Sequence, residues 1–129
     1  GLPVPEPIPG DWSAAAGYAA GRLLAADPEV TAVFCANDEL ALGLIRAMHE
    51  QGRRVPQDVS VVGFDGLSLG EYSFPPLTTV RQDFRRAGEE MVRLVLEQVD
   101  SGVVGGGRQI LIPTELVVRG STAPRRERT

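Results

Sequence analysis

One stretch of the sequence has the residue types and spacing of a catalytic motif. Residues 66–70 read GLSLG, which fits the G-x-S-x-G pattern that displays a nucleophilic serine after a buried strand. A serine nucleophile needs a general base. The single histidine, His49, precedes Ser68, whereas hydrolases with this motif place their histidine after the serine. Asp65, and not Ser68, directly follows the predicted strand. Hydrolysis by Ser68 is therefore a remote alternative, and we expect no catalytic residue here.

A different set of polar side chains follows the ends of two predicted strands. Asn37 and Asp38 come directly after the apolar run TAVFCA, and Asp65 comes after DVSVVGF. Ligands of open parallel sheets bind beyond the carboxyl ends of the strands, so these groups would meet at one edge. Carboxylates and amides suit the hydroxyl groups of a polyol or sugar, and Trp12 would supply an apolar face for a sugar ring. Helix capping by Asn37, a helix-dipole role for Asp38 and a core position for Trp12 are the purely structural alternatives.

The composition excludes several other kinds of site. All thirteen basic residues are arginine, so the chain has no lysine for a Schiff base or a phosphate loop. One cysteine and one histidine are too few for a disulfide or a Cys/His zinc site within the chain, and we expect no metal or cofactor. Cys35 lies in an apolar run, which favours an inert buried thiol. The net charge is −4 and no face is basic, so these residues alone should not bind DNA.

The elements that would position these residues alternate between apolar strands and amphipathic helices. This alternation is typical of an α/β fold, with a parallel sheet and flanking helices. The predicted helices span 13–27, 37–52 and 83–102, and the predicted strands span 31–36, 58–64, 77–82, 108–113 and 115–121. Inward-facing positions are predicted at Leu40, Leu44, Ala47 and Met48 of the second helix, and at Phe84, Gly88, Met91, Val95 and Val99 of the third.

Five segments, taken in order, resemble one protein family. The segments are GDWSA, AVFCANDELALGLIRA, VPQDVSVVGFDG, PPLTTVRQDF and ILIPTELVVRGST, within residues 10–122. Together they resemble the lactose-repressor (LacI/GalR) family of bacterial transcription regulators. The resemblance implies a two-lobed core of the type I periplasmic-binding-protein kind, with a small effector such as a sugar held between the lobes.

The same resemblance assigns roles to individual residues. Trp12, Asn37 and Asp65 match effector contacts of the family, and Gln82 and Phe84 match the segment that crosses between the lobes and lines the cleft. The implied function is the sensing of a small polar effector, which shifts affinity for operator DNA by changing the balance between two lobe arrangements. No bond is made or broken in such a function.

Only part of a regulator of this family is represented in the sequence. No helix-turn-helix headpiece precedes residue 1, so we expect operator DNA to be bound through a headpiece outside this chain. Residues 1–122 would be the C-terminal portion of the effector-binding and dimerisation domain, with 84–112 returning to the first lobe and 123–129 a frayed tail. No signal peptide or membrane span is evident, which favours the cytoplasm and no membrane partner. A periplasmic-type sugar-binding protein of a transport system is the main alternative, because such proteins share segments such as NDELALG with the lactose-repressor family.

The second predicted helix carries apolar residues on more than one face. With its inward positions facing the sheet, Leu42 and Ile45 point away from it, beside a loop that contains Tyr72 and Phe74. An exposed apolar surface of this kind often marks a protein-protein contact. The family resemblance implies that this helix and loop form a homodimer contact. The alternative is that Leu42 is a scattered surface leucine.

Overall fold

A parallel sheet with flanking helices forms the main part of the chain. The computed structural model describes residues 5–102 and 108–124. Its helices are α1 (Ala14–Ala25), α2 (Asp38–Glu50) and α3 (Phe84–Ser101), and its strands are β1 (Ala32–Phe34), β2 (Ser60–Asp65), β3 (Thr78–Arg81) and β4 (Glu115–Val117). A four-residue 3-10 helix, Ser68–Glu71, lies between β2 and β3. The strand order is β1-β2-β3-β4, and both the β1/β2 and the β2/β3 pairs are parallel. The predicted α/β class is confirmed.

The chain divides into two units. The first comprises Gly1–Arg81 and Leu116–Thr129, and it contains α1, α2 and the first three strands. The second comprises Gln82–Glu115, and α3 is its only complete element within the described residues. This second unit includes the residues that the family resemblance assigns to the first lobe, and that assignment stays a prediction.

Short polar side chains cap the N-termini of α1 and α2. The Ser13 hydroxyl accepts a hydrogen bond from the Ala16 backbone N–H at 3.1 Å, so Ser13 caps α1. Asn37 caps α2 in the same way. At the other end of α2, Gly52 has φ of +75°, a conformation that glycine adopts without steric cost. Capping side chains therefore fix the starts of both helices, and Gly52 follows the end of α2.

Helices α1 and α2 approach each other through glycines. A Cβ atom on Gly17 would overlap the backbone of Leu40, and one on Gly43 would overlap the carbonyl group of Ala14. A Cβ on Gly21 would lie 2.9 Å from a carbonyl oxygen of α2. Because larger side chains are absent at these positions, the two backbones pack closer together than most helix pairs can.

The core of the first unit lies between α2 and the sheet. Its buried residues are Cys35, Ala41, Leu44, Ile45, Met48, Val55, Val59, Val61 and Leu77. The predicted inward positions of α2 are confirmed, because Leu44, Ala47 and Met48 are buried and Leu40 packs against the edge of the core.

The expectation that Ile45 points away from the core is wrong. Its side chain is only 4% exposed and belongs to the core cluster. The physical reason is that Ile45 lies one helical turn from both Ala41 and Met48, on the side of α2 that packs against the sheet, whereas α1 packs against a different side of the helix, at Leu40 and Gly43. Leu42 is half-buried, whereas Arg46 and His49 on the same side of the helix are exposed. This side is the part of α2 that remains available to a partner.

Ser121 joins β2 to β3 near the starts of both strands. Its hydroxyl donates to the carbonyl oxygen of Val61 at 2.6 Å and accepts from the N–H of Thr78 at 2.8 Å. Its own carbonyl accepts from the N–H of Val61 at 2.8 Å. The side chain is fully buried, and these bonds satisfy backbone groups that would otherwise lie buried without partners.

Helix α3 has a polar face with several ion pairs and an apolar face that no described residue of its own unit buries. The polar pairs include Arg85–Glu89 at 2.8 Å and Arg93–Glu97 at 2.6 Å. No residue of α3 is buried, and the predicted inward residues Phe84, Met91, Val95 and Val99 are 56% to 71% exposed. The prediction that they face inward is therefore wrong for this chain, because the described part of this unit holds no second element that could cover them. None of the helices in the described residues is long and apolar enough to cross a bilayer.

The strand predicted at 108–113 is also absent. These residues have no regular structure, and Leu111 among them is 94% exposed. A strand forms only when a neighbour completes its hydrogen-bond ladder, and no described strand pairs with this segment. The second predicted strand of this region is present as β4. Most of the predicted frayed tail, residues 125–129, lies outside the described residues.

Candidate functional site

The carboxyl ends of β1 and β2 carry the polar residues that the sequence singled out. Phe34 of β1 pairs with Val62 of β2, so both strands run toward the same edge of the sheet. Asn37 caps the helix that follows β1, and Asp65 is the last residue of β2. In open parallel sheets this edge is where ligands bind.

Asn37 joins the start of α2 to the loop before α1. Its Oδ1 accepts from the Leu40 backbone N–H at 2.8 Å, and its Nδ2 donates to the backbone carbonyl of Trp12 at 2.9 Å. The structure thus brings Asn37 and Trp12 together and also bears out the capping alternative. A primary amide has two N–H groups and two lone pairs, so one of each is left for a ligand.

Trp12 and Asp65 share an unusual backbone conformation. Their φ angles are +70° and +108°, and they are the only non-glycine residues with positive φ among the described residues. Such a conformation costs about 1 to 3 kcal/mol and persists only where the surrounding structure holds it, most often at binding sites. The side chain of Trp12 is 62% exposed, so the alternative that it fills the core is wrong. Its indole face is available for stacking on a ligand.

Asp38 is fully buried behind this edge. Its Oδ1 accepts from the hydroxyl of Thr79 at 2.6 Å, and its Oδ2 accepts from the backbone N–H of Leu67 at 2.6 Å. A Cβ on Gly63 would overlap the Asp38 carboxylate, so a glycine is required at that point of β2. Asp38 therefore does more than complement the helix dipole. The glycine inside the strand sequence VVGF is the signal that could have revealed this role.

Arg81 adds a positive charge that sequence reasoning did not select. It lies opposite Asp65 in the register of β2 and β3, and its side chain is exposed. A Cβ on Gly66 would lie 2.6 Å from the Cγ of Arg81, so the arginine stem covers the residue after Asp65. A guanidinium donates hydrogen bonds to hydroxyl or carboxylate groups, which places a donor beside the acceptor of Asp65. Arg81 becomes a candidate only when the register of β2 and β3 is known, because the sequence alone does not give that register.

Gln82 and Phe84 open the second unit. Phe84 is the first residue of α3 and is 56% exposed, and the intervening Asp83 caps the helix by accepting from the Arg86 N–H at 2.9 Å. The cleft-lining role that the family resemblance gives to Gln82 and Phe84 stays a prediction.

The nucleophile-like motif does not form an elbow at a strand end. Ser68 is the first residue of the 3-10 helix, three residues beyond the end of β2, and it is exposed. The His49 ring packs against Phe74, with ring centroids 6.5 Å apart. Cys35 is the buried thiol that was predicted, and burial, with a smaller contribution from the charge of Asp38, raises its pKa to about 12. A thiol of this pKa stays protonated and unreactive at neutral pH.

A second surface lies on the outer side of α2. Tyr72 and Phe74 are 82% and 86% exposed, and the contact between Phe74 and His49 joins their loop to the helix. Leu42, two helical turns before His49, is half-buried on the same side. We call these four residues the α2-loop surface. Two exposed aromatic rings beside a helix are unusual for a surface that faces only water.

Comparison with known proteins identifies the family. A model of the periplasmic binding protein-like domain matches residues 2–122. The chain belongs to this family. Its relatives confirm the resemblance to the lactose-repressor group of transcription regulators.

Three relatives illustrate the match. The HTH-type transcriptional repressor CytR of Escherichia coli (strain K12) is 41% identical over 114 residues, which are 88% of this chain and 33% of CytR. A lac repressor dimer, solved with operator and the anti-inducer ONPF, is 43% identical, with a TM-score of 0.78 over 88% of this chain and 39% of its own. A LacI family regulator from Enterococcus faecium, solved with bound ribose, is 35% identical, with a TM-score of 0.81 over 92% of this chain and 43% of its own. The chain spans 24% to 33% of the length of the curated relatives it matches.

Proposed function

We propose that this chain is the effector-sensing and dimerisation part of a bacterial DNA-binding transcription regulator. The observation that carries the proposal is the grouping of Trp12, Asn37 and Asp65 at the carboxyl edge of a parallel sheet, with two of the three in left-handed backbone conformations. The similarity to the E. coli repressor CytR and to the lac repressor supports the regulatory reading over catalysis.

The effector is a small neutral polyhydroxy molecule, a sugar or a close relative of one. Asp65 accepts hydrogen bonds from hydroxyl groups, and the remaining N–H and lone pair of Asn37 bind a further one. The exposed indole of Trp12 covers the apolar face that a sugar ring presents. Arg81 supplies a donor on the same edge. Bound ribose in the Enterococcus faecium relative is consistent with this class of ligand.

Effector binding alters DNA affinity by favouring one of two lobe arrangements. The effect is limited by the difference between the effector's affinities for the two arrangements, which is typically about 1 to 3 kcal/mol in allosteric proteins. Gln82 and Phe84 line the cleft between the lobes, and the DNA is bound by a headpiece outside this chain. The protein acts in the cytoplasm, where its operator is.

A ligand panel on the full-length protein tests this function. Ribose, lactose and cellobiose, which are bound in solved relatives, serve as the first probes in a thermal-denaturation assay. A ligand at 100 times its Kd stabilises the folded state by about 2.7 kcal/mol, so a true effector raises the Tm visibly. The same sugar must then change the affinity of the protein for DNA from the promoter of its own gene. A panel of sugars, nucleosides and polyols that neither stabilises the protein nor changes DNA binding would overturn the proposal.

A periplasmic-type sugar-binding protein is the second candidate, because the site chemistry described here would serve transport equally well. The two functions differ in what precedes this sequence in the gene. A helix-turn-helix headpiece indicates a regulator, and a signal peptide indicates a transport protein.

We also propose that the α2-loop surface forms a homodimer contact. The exposed rings of Tyr72 and Phe74, together with Leu42 and His49, give an apolar centre that a second copy would remove from water. Ile45 is no longer part of this surface because it lies in the core. A two-fold dimer would also suit the palindromic operators that dimeric regulators read.

A further inference from the structure

Asp38 is the only buried acidic residue in the part of the chain that the structure describes. It is fully buried, and each of its two oxygens accepts a hydrogen bond from a different part of the fold. One donor is the hydroxyl of Thr79 in β3, and the other is the N–H of Leu67 in the loop after β2. A buried carboxylate is tolerated only when such bonds satisfy it. Asp38 thus joins the start of α2 to both neighbouring strands.

The hydrogen bond between Asp38 and the N–H of Leu67 lies close in sequence to Asp65, the proposed effector contact. Leu67 is two residues after Asp65, and the φ of Asp65 is +108°, a conformation that the surroundings must hold in place. Asp38 is also the neighbour of Asn37, which bonds the carbonyl of Trp12. A single pair of adjacent residues therefore connects the two left-handed positions of the site.

We propose that Asp38 is a positioning residue of the effector site, which holds the loop after β2 so that Asp65 presents its carboxylate to the ligand. This proposal rests on the proposed function for its consequence on ligand binding. Asp38 does not contact the effector itself, because it has no exposed surface and both of its oxygens are occupied. Gly63 provides the space that the carboxylate needs.

Substitution of Asp38 in the full-length protein tests the role. The probe is whichever of ribose, lactose and cellobiose raises the wild-type Tm most, and its Kd is measured by calorimetry at a temperature where every variant is folded. Asp38→Ala is expected to weaken binding at least tenfold. Asp38→Asn is expected to remain within about threefold of wild type, because its oxygen still accepts from Leu67 and its amide donates to the Thr79 hydroxyl.

Ser121→Ala is the matched control for a general loss of stability. Ser121 is as buried as Asp38 and also bonds groups of both β2 and β3, near the starts of those strands. The control should lower the Tm and leave the Kd unchanged. The proposal is overturned if folded Asp38→Ala binds like wild type, if Asp38→Asn binds as weakly as Asp38→Ala, or if Ser121→Ala loses as much affinity.

Amide hydrogen exchange at Leu67 gives a readout that needs no ligand. Its N–H should exchange slowly in wild type and in Asp38→Asn, and at least tenfold faster in Asp38→Ala, while core amides of β2 keep their protection. Slow exchange in Asp38→Ala would overturn the positioning role. Fast exchange there, with no sugar bound by the wild-type protein, would instead refute the proposed function and leave the role of Asp38 in holding the loop intact.

Discussion

Asp65 is the residue whose removal most directly tests the proposed effector contact. Loss of a charged hydrogen-bond acceptor costs about 1.5 to 3 kcal/mol, so Asp65→Ala should weaken effector binding roughly 10- to 150-fold in the full-length protein. Calorimetry with the sugar found in the ligand panel measures the effect. Asp27→Ala, which removes an exposed carboxylate in the turn after α1, is the control and should bind normally. Equal affinities for the two variants would remove Asp65 from the site.

Trp12 should report effector binding through its fluorescence. It is the only tryptophan, and its side chain is 62% exposed, so the free protein should emit as a hydrated indole does. A sugar that stacks on the ring removes water from it, which should move the emission maximum to shorter wavelength. A titration of the full-length protein measures the shift, and the Asp65→Ala variant should need a higher sugar concentration to reach it. An emission spectrum that does not change at saturation would contradict stacking.

The residue-level predictions succeeded where local chemistry decides the outcome. Capping explains why Asn37 begins α2, and the apolar run around Cys35 explains why its thiol is buried. Asp38 was undervalued because its partners, Thr79 and the N–H of Leu67, are distant in sequence and come together only in the folded sheet. Arg81 was missed for the same reason, since only the strand register places it opposite Asp65.

At the scale of elements, the glycine contact between α1 and α2 makes a stability prediction. Gly43→Ala would force a methyl group into the backbone of α1, and overpacking of this kind typically costs about 1 to 3 kcal/mol. Leu23→Ala is the control, because Leu23 is 69% exposed on α1. It should change the free energy of unfolding by no more than about 0.5 kcal/mol.

Chemical denaturation of the two full-length variants measures this difference. The midpoint should fall for Gly43→Ala and should stay level for Leu23→Ala. If both variants had the same midpoint, the close approach of the two helices would not exist in solution.

The elements were predictable where a segment and its neighbours both lie in the chain. Helix α2 and strands β1 to β3 are amphipathic or apolar in the expected pattern, and they pack against each other in the first unit. The strand predicted at 108–113 and the inward face of α3 failed because periodicity shows which residues avoid water but not whether a covering element is present. Ile45 failed for the opposite reason, since the sheet side of α2 is wider than expected and buries a residue that was expected to be free.

At the scale of the whole molecule, the α2-loop surface makes a prediction about assembly. Leu42→Glu would place a charge in the proposed interface twice, once from each copy, and neither charge would have a partner there. The variant should sediment as a folded monomer at micromolar concentration, whereas the wild-type protein sediments as a dimer. Leu23→Glu is the control, because Leu23 is 69% exposed on α1, away from this surface. A dimeric Leu42→Glu variant would place the interface elsewhere.

The hydrogen bonds that Ser121 makes with β2 and β3 have a consequence for the synthesis of the chain. Ser121 lies 60 residues after Val61 and 43 residues after Thr78, and it supplies bonds that those strands need near their starts. A ribosome produces about 5 to 20 residues each second, so Ser121 is synthesised several seconds after β2 and β3. During that interval their apolar faces and unpaired edges are open to misassociation. These bonds cannot form before Ser121 has been synthesised, so a chaperone that acts on the nascent chain would protect the open edges between the synthesis of β3 and that of Ser121.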